Sequence, residues 1–177
     1  MSEPVHVFIK NAVIDVTRLT PDQVDILYIA RTLSRINRFG GHTRYPYSVA
    51  QHAVLVSYLA PKKWAYEGLH HDDTEAFIGD VINPIKSQHV RDIEAMVRVG
   101  LRVPLRLLPF EPSEVKAADL AALYIEQEIL QGRATMPALP MGRVESVRHA
   151  MQLVRQMHPL RAEEMYLERH QELTRAL

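Results

Sequence analysis

Apolar residues recur along this chain at helical spacing almost throughout and alternate in only one short stretch. Ile26, Ile29, Leu33 and Ile36 share one face of a segment opened by Thr20, Pro21 and Asp22, which serve as N-cap, first-turn proline and dipole-compatible acid. The spacing predicts a helix over 21–36. Ser48 caps a second helix that runs to Leu59, and Pro61 opens a third that the pattern carries to Ile78. A fourth is predicted over 88–101, with Val90, Ile93, Met96, Val97 and Leu101 on its apolar side. Ser113 caps a long one that stops at Gly132. Val144, Val147, Met151 and Val154 predict another over 144–157, and a charged last helix follows over 160–175. Residues 5–9 alone read as an extended strand or edge.

Six or seven helices with connections of unequal length predict an all-α fold, and the site of such a fold must be built between helices. The connections are marked by backbone breakers: Gly40, Gly41 and Pro46 in 37–47, Gly79 and Pro84 in 79–87, and Pro104, Pro109 and Pro112 before the long helix. Residues 133–143, with two prolines and a glycine, read as a linker.

Composition narrows the chemistry. The 177 residues fit a single domain, 1–177, large enough to bury roughly 70% of the surface its unfolded chain exposes. With 21 basic against 21 acidic side chains, no overall positive field favours a nucleic-acid polymer as partner. The absence of cysteine removes disulfides, thiolate ligands and a cysteine nucleophile, leaving imidazole and carboxylate as metal-binding groups. No apolar stretch is long enough to span a bilayer, and the N-terminus lacks a signal peptide's basic start and apolar centre. The expectation is a soluble cytoplasmic protein without a membrane partner.

Several polar residues fall where apolar ones belong. His52 shares its helix face with Leu55, Val56 and Leu59, and Asp119 shares one with Val115, Ala122 and Leu123. A buried neutral histidine can be satisfied by one hydrogen bond, but an inward aspartate needs either an arginine or a metal. His71 and Asp72 are adjacent, about 100° apart on the expected third helix, with Glu75 one turn on. Together, His52, His71, Asp72 and Asp119 make a set of two imidazoles and two carboxylates suited to Zn, Mn, Co, Fe or Ni, with positions left for water and substrate.

The order His52, His71-Asp72, Asp119 resembles the H…HD…D pattern of the HD-domain metal-dependent phosphohydrolases. The run LHHDDTEAFIGDVINPIK is similar to the HD…E…GD…P…K segment of bacterial 5′-deoxynucleotidases and phage-encoded nucleotide phosphohydrolases, and SRINRFGGHTRYPYSVAQH to the segment leading to their first metal histidine. The resemblance covers about 27–123. It is strongest to phage deoxyadenosine triphosphate triphosphohydrolases, which would act in the host cytoplasm.

The resemblance implies a compact HD-domain bundle in which those four residues hold a divalent ion. It makes Glu75 the residue that orients or deprotonates the attacking water, and Asp80 one that positions phosphate, water or an additional cation. Lys86 and Arg38 would neutralise phosphate, and Phe39 would stand where relatives place an aromatic ring, often tryptophan, against base or sugar. His42 and Arg44 are loop candidates for phosphate or base contacts. One further histidine before Asp119, His89, suits a single tightly held metal, with room for additional Mg, Mn or Co brought by substrate phosphates. Trp64 and Tyr124 read as packing residues.

The implied reaction is hydrolysis of a deoxynucleotide at its 5′ phosphoester, most closely a triphosphate to nucleoside and triphosphate. The alternatives are a 5′-deoxynucleotidase acting on monophosphates and a metal-containing nucleotide-binding module without turnover. Relatives commonly self-associate, so a homo-oligomer is also expected.

Overall fold

The computed structural model describes residues 4–133 and 152–175. Its architecture is all-α apart from one small hairpin. Strand β1 (His6–Ile9) pairs antiparallel with β2 (Ala12–Asp15). Lys10 and Asn11 join them with φ of 49° and 64°, the conformation of a type I′ turn whose twist suits a two-residue hairpin. β1 matches the expected strand to within one residue, and β2 was not expected.

Seven α-helices follow among the described residues: α1 (Ile26–Leu33), α2 (Val49–Leu59), α3 (Ala65–Leu69), α4 (Glu75–Ile78), α5 (Gln88–Leu105), α6 (Ser113–Gln131) and α7 (Pro159–Thr174). α2 is the centre. It is apolar around most of its circumference, ten of its eleven residues are buried, and it packs against α3, α6 and α7. Ser48 caps it as expected: its side chain accepts from the Gln51 amide, and Gln51 Oε1 accepts from the Ser48 amide at 3.2 Å. Gly68 lets α3 approach closely, since a Cβ there would stand 3.3 Å from both Ala60 Cβ and Ser57 Cα.

Three expected helices are redrawn. Thr20 and Pro21 start only a short 3₁₀ turn, 21–23, and α1 begins later, where Asp25 accepts from the Leu27 amide. The fourth helix continues past Leu101 through Pro104 and ends at Leu105, with Arg106 left-handed at φ 55°. The third helix, expected from 61 to 78, is broken into a 3₁₀ turn, α3 and α4. The His71-Asp72 pair sits in the intervening turn and not on a helical face. α6 ends as expected at left-handed Gly132. The expected linker over 133–143, and most of the expected helix over 144–157, lie outside the described residues. Of the latter, Leu153 and Val154 are buried in the core.

The break in the third helix has a visible cause in α7. His71 and Asp72 turn together toward the donor group, and His70 and Asp73, on either side of them, bond toward α7 instead. His70 Nδ1 donates to Asp73 Oδ2 at 2.6 Å, the Tyr166 hydroxyl donates to Asp73 Oδ1, and His70 Nε2 shares a hydrogen bond of 3.0 Å with His170 Nδ1. A buried carboxylate with two donors is stable where an unpartnered one is not, so contacts nearly one hundred residues away set this backbone. Tyr166→Phe, which leaves the packing intact and removes one donor from buried Asp73, is expected to cost about 1–3 kcal/mol. Urea unfolding at unchanged m-value checks it.

Candidate metal centre

Four polar atoms meet between α2, the 70–74 turn and α6. His52 Nε2 lies 3.3 Å from His71 Nε2, and Asp72 Oδ2 lies 3.5 Å from the first and 3.2 Å from the second. Asp119 Oδ1 is 3.1 Å from His52 Nε2 and 3.8 Å from His71 Nε2. Ligand atoms placed 2.0–2.2 Å from one divalent ion stand roughly 3–3.5 Å apart, so these separations suit a shared ion. His52, His71 and Asp72 form a largely buried group that could hold a metal. Asp119 stands at its open edge with a side chain 43% exposed, and so faces a cleft and not the core.

Both imidazoles are aimed by their other nitrogen. His71 Nδ1 donates to the Gly68 carbonyl at 2.8 Å, and His52 Nδ1 donates to Glu126 Oε1 at 2.6 Å. With Nδ1 carrying the proton, a neutral ring turns the Nε2 lone pair toward the common point, the arrangement that metal-bound histidines adopt. Glu126 is fully buried and was missed in the sequence, although it lies two turns after Asp119 on the same face of α6. Its other oxygen, Oε2, is 3.3 Å from Arg38 Nε, while Arg38 Nη1 reaches Asp72 Oδ2 at 3.4 Å.

A cleft of about 490 Å³ opens over this group. Arg38, Phe39, Asp72, Glu75, Asp80, Lys86 and Asp119 all border it, so the structure gathers seven of the nine expected site residues around one opening and places His52 and His71 beneath them. Two differ in detail from expectation. Arg38 is engaged with Glu126 and Asp72 and braces the donor group, and Lys86 donates to Glu94 Oε2 at 2.9 Å.

Of the remaining candidates, exposed His42 borders the cleft, and the Arg44 amide donates to the Leu130 carbonyl at 3.0 Å. His89 is exposed on α5 and takes no part in the donor group. Trp64 Nε1 donates to Glu114 at 3.1 Å, and Tyr124 is half-buried. His70, beside the donor pair, serves the α7 network instead.

Charge is concentrated here. Burial alone would push the His71 imidazole down, but Asp72 and Asp119 outweigh it and hold it well above its ordinary value. Burial would likewise raise Asp72 and Asp119, and the two histidines instead hold both below the usual carboxylate range. Glu75 goes the other way: burial, then the neighbouring charges of Asp72 and Asp80, push its carboxyl up to about 9. Its Oε2 is buried without a hydrogen-bond partner among the described residues. Burial raises Asp80 as well.

Two outcomes follow from this geometry. Glu126→Gln weakens the charge-assisted bond that orients His52 and leaves Arg38 with Asp72 alone, so affinity for Zn²⁺ or Mn²⁺ should fall about 10- to 100-fold in a chelator competition. Glu75 keeps its proton in the folded state up to about pH 9 but loses it near 4.5 when unfolded. Its contribution is therefore fully present below 4.5 and declines as pH rises toward 9. Glu75→Gln has no proton to lose, so metal-free protein carrying it should be more stable than wild type at pH 7–8, with the gain vanishing below pH 4.5 in urea unfolding.

No established family model matches the sequence. The chain is 40% identical over 115 residues to the uncharacterized protein YfdR of Escherichia coli strain K12, a match covering 64% of this chain and 65% of YfdR, just under two thirds of that relative's length. It is 30% identical over 135 residues to the uncharacterized protein RCAP_rcc00048 of Rhodobacter capsulatus, covering 67% of this chain and 69% of the relative. At that identity and coverage, the chain belongs to the same protein family as RCAP_rcc00048.

Proposed function

We propose that this protein is a divalent-metal-dependent phosphohydrolase of the HD-domain type that cleaves the 5′ phosphoester of deoxynucleotides. One observation carries the proposal: two imidazoles anchored through Nδ1 bring their Nε2 atoms together with Asp72 and Asp119 at the floor of a cleft. His52, His71, Asp72 and Asp119 would hold the ion, and their nitrogen and oxygen donors fit Zn, Mn, Co, Fe or Ni. Such an ion supplies Lewis acidity, lowering the pKa of a coordinated water toward about 7 and drawing charge from phosphoryl oxygens.

The chain's own residues supply the rest. Glu75 borders the cleft with a buried oxygen that has no hydrogen-bond partner among the described residues, and it would accept the proton of the attacking water once positive charge at the donor group offsets the burial and the Asp72 and Asp80 charges that keep its own proton on. Water adds to phosphorus, the bond from phosphorus to the 5′ oxygen breaks, and that oxygen leaves as the nucleoside hydroxyl after taking a proton. Asp80 positions water or a cation accompanying the phosphate. Arg38 holds Asp72 and Glu126 in register, and Lys86, seated on Glu94, meets the phosphate from the 80–86 wall.

The resemblance points to a triphosphate, with additional Mg, Mn or Co arriving on its phosphates. The alternative is a monophosphate; Arg38 and Lys86 are each paired with carboxylates, and Arg133 also borders the cleft.

Purified protein loaded with each of Mn, Co, Zn, Ni and Fe should release deoxynucleoside from deoxynucleoside mono- or triphosphates, with chromatography of the products separating the two. Release from no deoxynucleotide under any metal would sink the proposal. Glu75→Gln should lose at least about 100-fold in kcat while still binding metal, the scale typical of removing a general base.

A further inference from the structure

His71 and Asp72 are joined by one peptide plane, and the orientation of that plane aims two donors at once. In a continuous helix the His71 carbonyl would accept from the Glu75 amide. Here that amide donates to the Asp72 carbonyl at 2.9 Å, so the break in the helix leaves the His71 carbonyl to be satisfied from elsewhere. Arg98 on α5 satisfies it: Nη1 donates to that oxygen at 3.0 Å.

Arg98 stands on a firm base. It lies beside Val97 and one turn before Leu101, both buried in the core, and α5 runs so close to Leu19 that a Cβ on Gly100 would meet the Leu19 Cβ at 2.7 Å. One turn before Arg98, Glu94 accepts from Lys86 at 2.9 Å and ties the same helix to the 80–86 wall of the cleft. The other anchors of the turn act elsewhere. The Gly68 carbonyl sets the His71 ring, and the α7 network holds His70 and Asp73. Neither grips the peptide between the two donors.

We infer that Arg98 is a positioning residue for the metal centre: by fixing the 71–72 peptide it keeps the His71 imidazole and the Asp72 carboxylate in register with His52, ready for a divalent cation. The inference rests on the metal-binding half of the proposed function. A buried carbonyl that loses its donor favours any rotation that finds another. Rotating this peptide changes ψ of His71 and φ of Asp72 together, and so carries two ligands away from the common point. A guanidinium suits the task because it stays charged at any working pH and donates more strongly than a neutral group.

The test measures Zn²⁺ and Mn²⁺ binding by chelator competition on the full chain, beside urea unfolding of the metal-free protein. Arg98→Met keeps the apolar stem and removes the donor, and Arg98→Gln keeps polarity but falls short of the carbonyl. In each variant that folds, affinity for both ions should drop about tenfold, the lower end of the loss typical when a group that orients a ligand is removed. Arg98→Lys restores a charged donor and should recover most of it. Leu101→Ala, which weakens α5 from its core side and leaves the bond intact, should lower urea stability and bind both ions as wild type does. Wild-type affinity in the donor-free variants would mean that the bond only supports the fold and would overturn the inference. An equal loss in Leu101→Ala, or no recovery in Arg98→Lys, would trace the effect to α5 as a whole and overturn it too. Wild type that binds metal but hydrolyses no deoxynucleotide overturns the phosphohydrolase proposal and leaves this inference standing, whereas wild type that binds neither ion overturns both.

Discussion

Burying the Glu126 carboxylate would be prohibitive without partners, and the partners it takes organise everything around it. One oxygen receives His52 Nδ1 at 2.6 Å and the other lies 3.3 Å from Arg38 Nε, which ties α6 to α2 and to the 38–44 loop. Arg38 then passes the constraint on to Asp72 at 3.4 Å. A single inward glutamate thus orients one imidazole directly and one carboxylate through an intermediary. This is how a helical scaffold can hold polar atoms from three segments within a few ångströms of one another. The cost of leaving any member unpaired makes the arrangement cooperative.

The 70–74 turn is held from its opposite side by the same kind of bond. Asp73, buried between His70 and Tyr166, requires donors, and α7 supplies one of them directly. His71 and Asp72 therefore owe their direction partly to a helix that adds no atom to the donor group. Gly68 contributes twice: its missing side chain lets α3 lie against α2, and its carbonyl anchors His71 Nδ1. A backbone fixed from two sides is well suited to present adjacent side chains to one point, something a continuous helix does poorly because neighbours diverge by about 100°.

These features explain which parts were legible in the sequence. α2 could be read because the Ser48 cap and the apolar residues that follow it act locally, and α6 because its periodicity ends at a glycine. The four donor residues stood out by chemical type and order, but only His52 lies where its helical spacing put it in the core: Asp119 faces the cleft, and His71 and Asp72 sit in a turn. The break in the third helix could not be read, since helical spacing persists through 70–74 and the forces that interrupt it come from Tyr166 and His170. The pairing of Arg38 with Glu126 and of Lys86 with Glu94 is likewise tertiary, so both cations read as free groups from spacing alone. Glu126 carried a local signal in its two-turn separation from Asp119. β2 was hidden by a hairpin turn of Lys10-Asn11 in place of the asparagine-glycine pair that usually announces one.

The charge balance of the cleft joins these observations. Asp72, Glu75, Asp80 and Asp119 line an opening shared with Arg38, Lys86 and Arg133, and the first two of these cations are paired with carboxylates. The carboxylate charge gathered around the donor group can be met by protons on the imidazoles and on Glu75, or by a divalent cation, and the two compete because both answer the same potential. A cation near Asp72 would relieve the repulsion that helps keep Glu75 protonated, linking occupation of the donor group to the appearance of a base beside it. Glu75 is then strained in the state that lacks positive charge and suited to the state that has it. A buried carboxyl with one oxygen unpartnered among the described residues destabilises a fold taken alone, but it is what a site would need if its base is to become available only once a cation is in place.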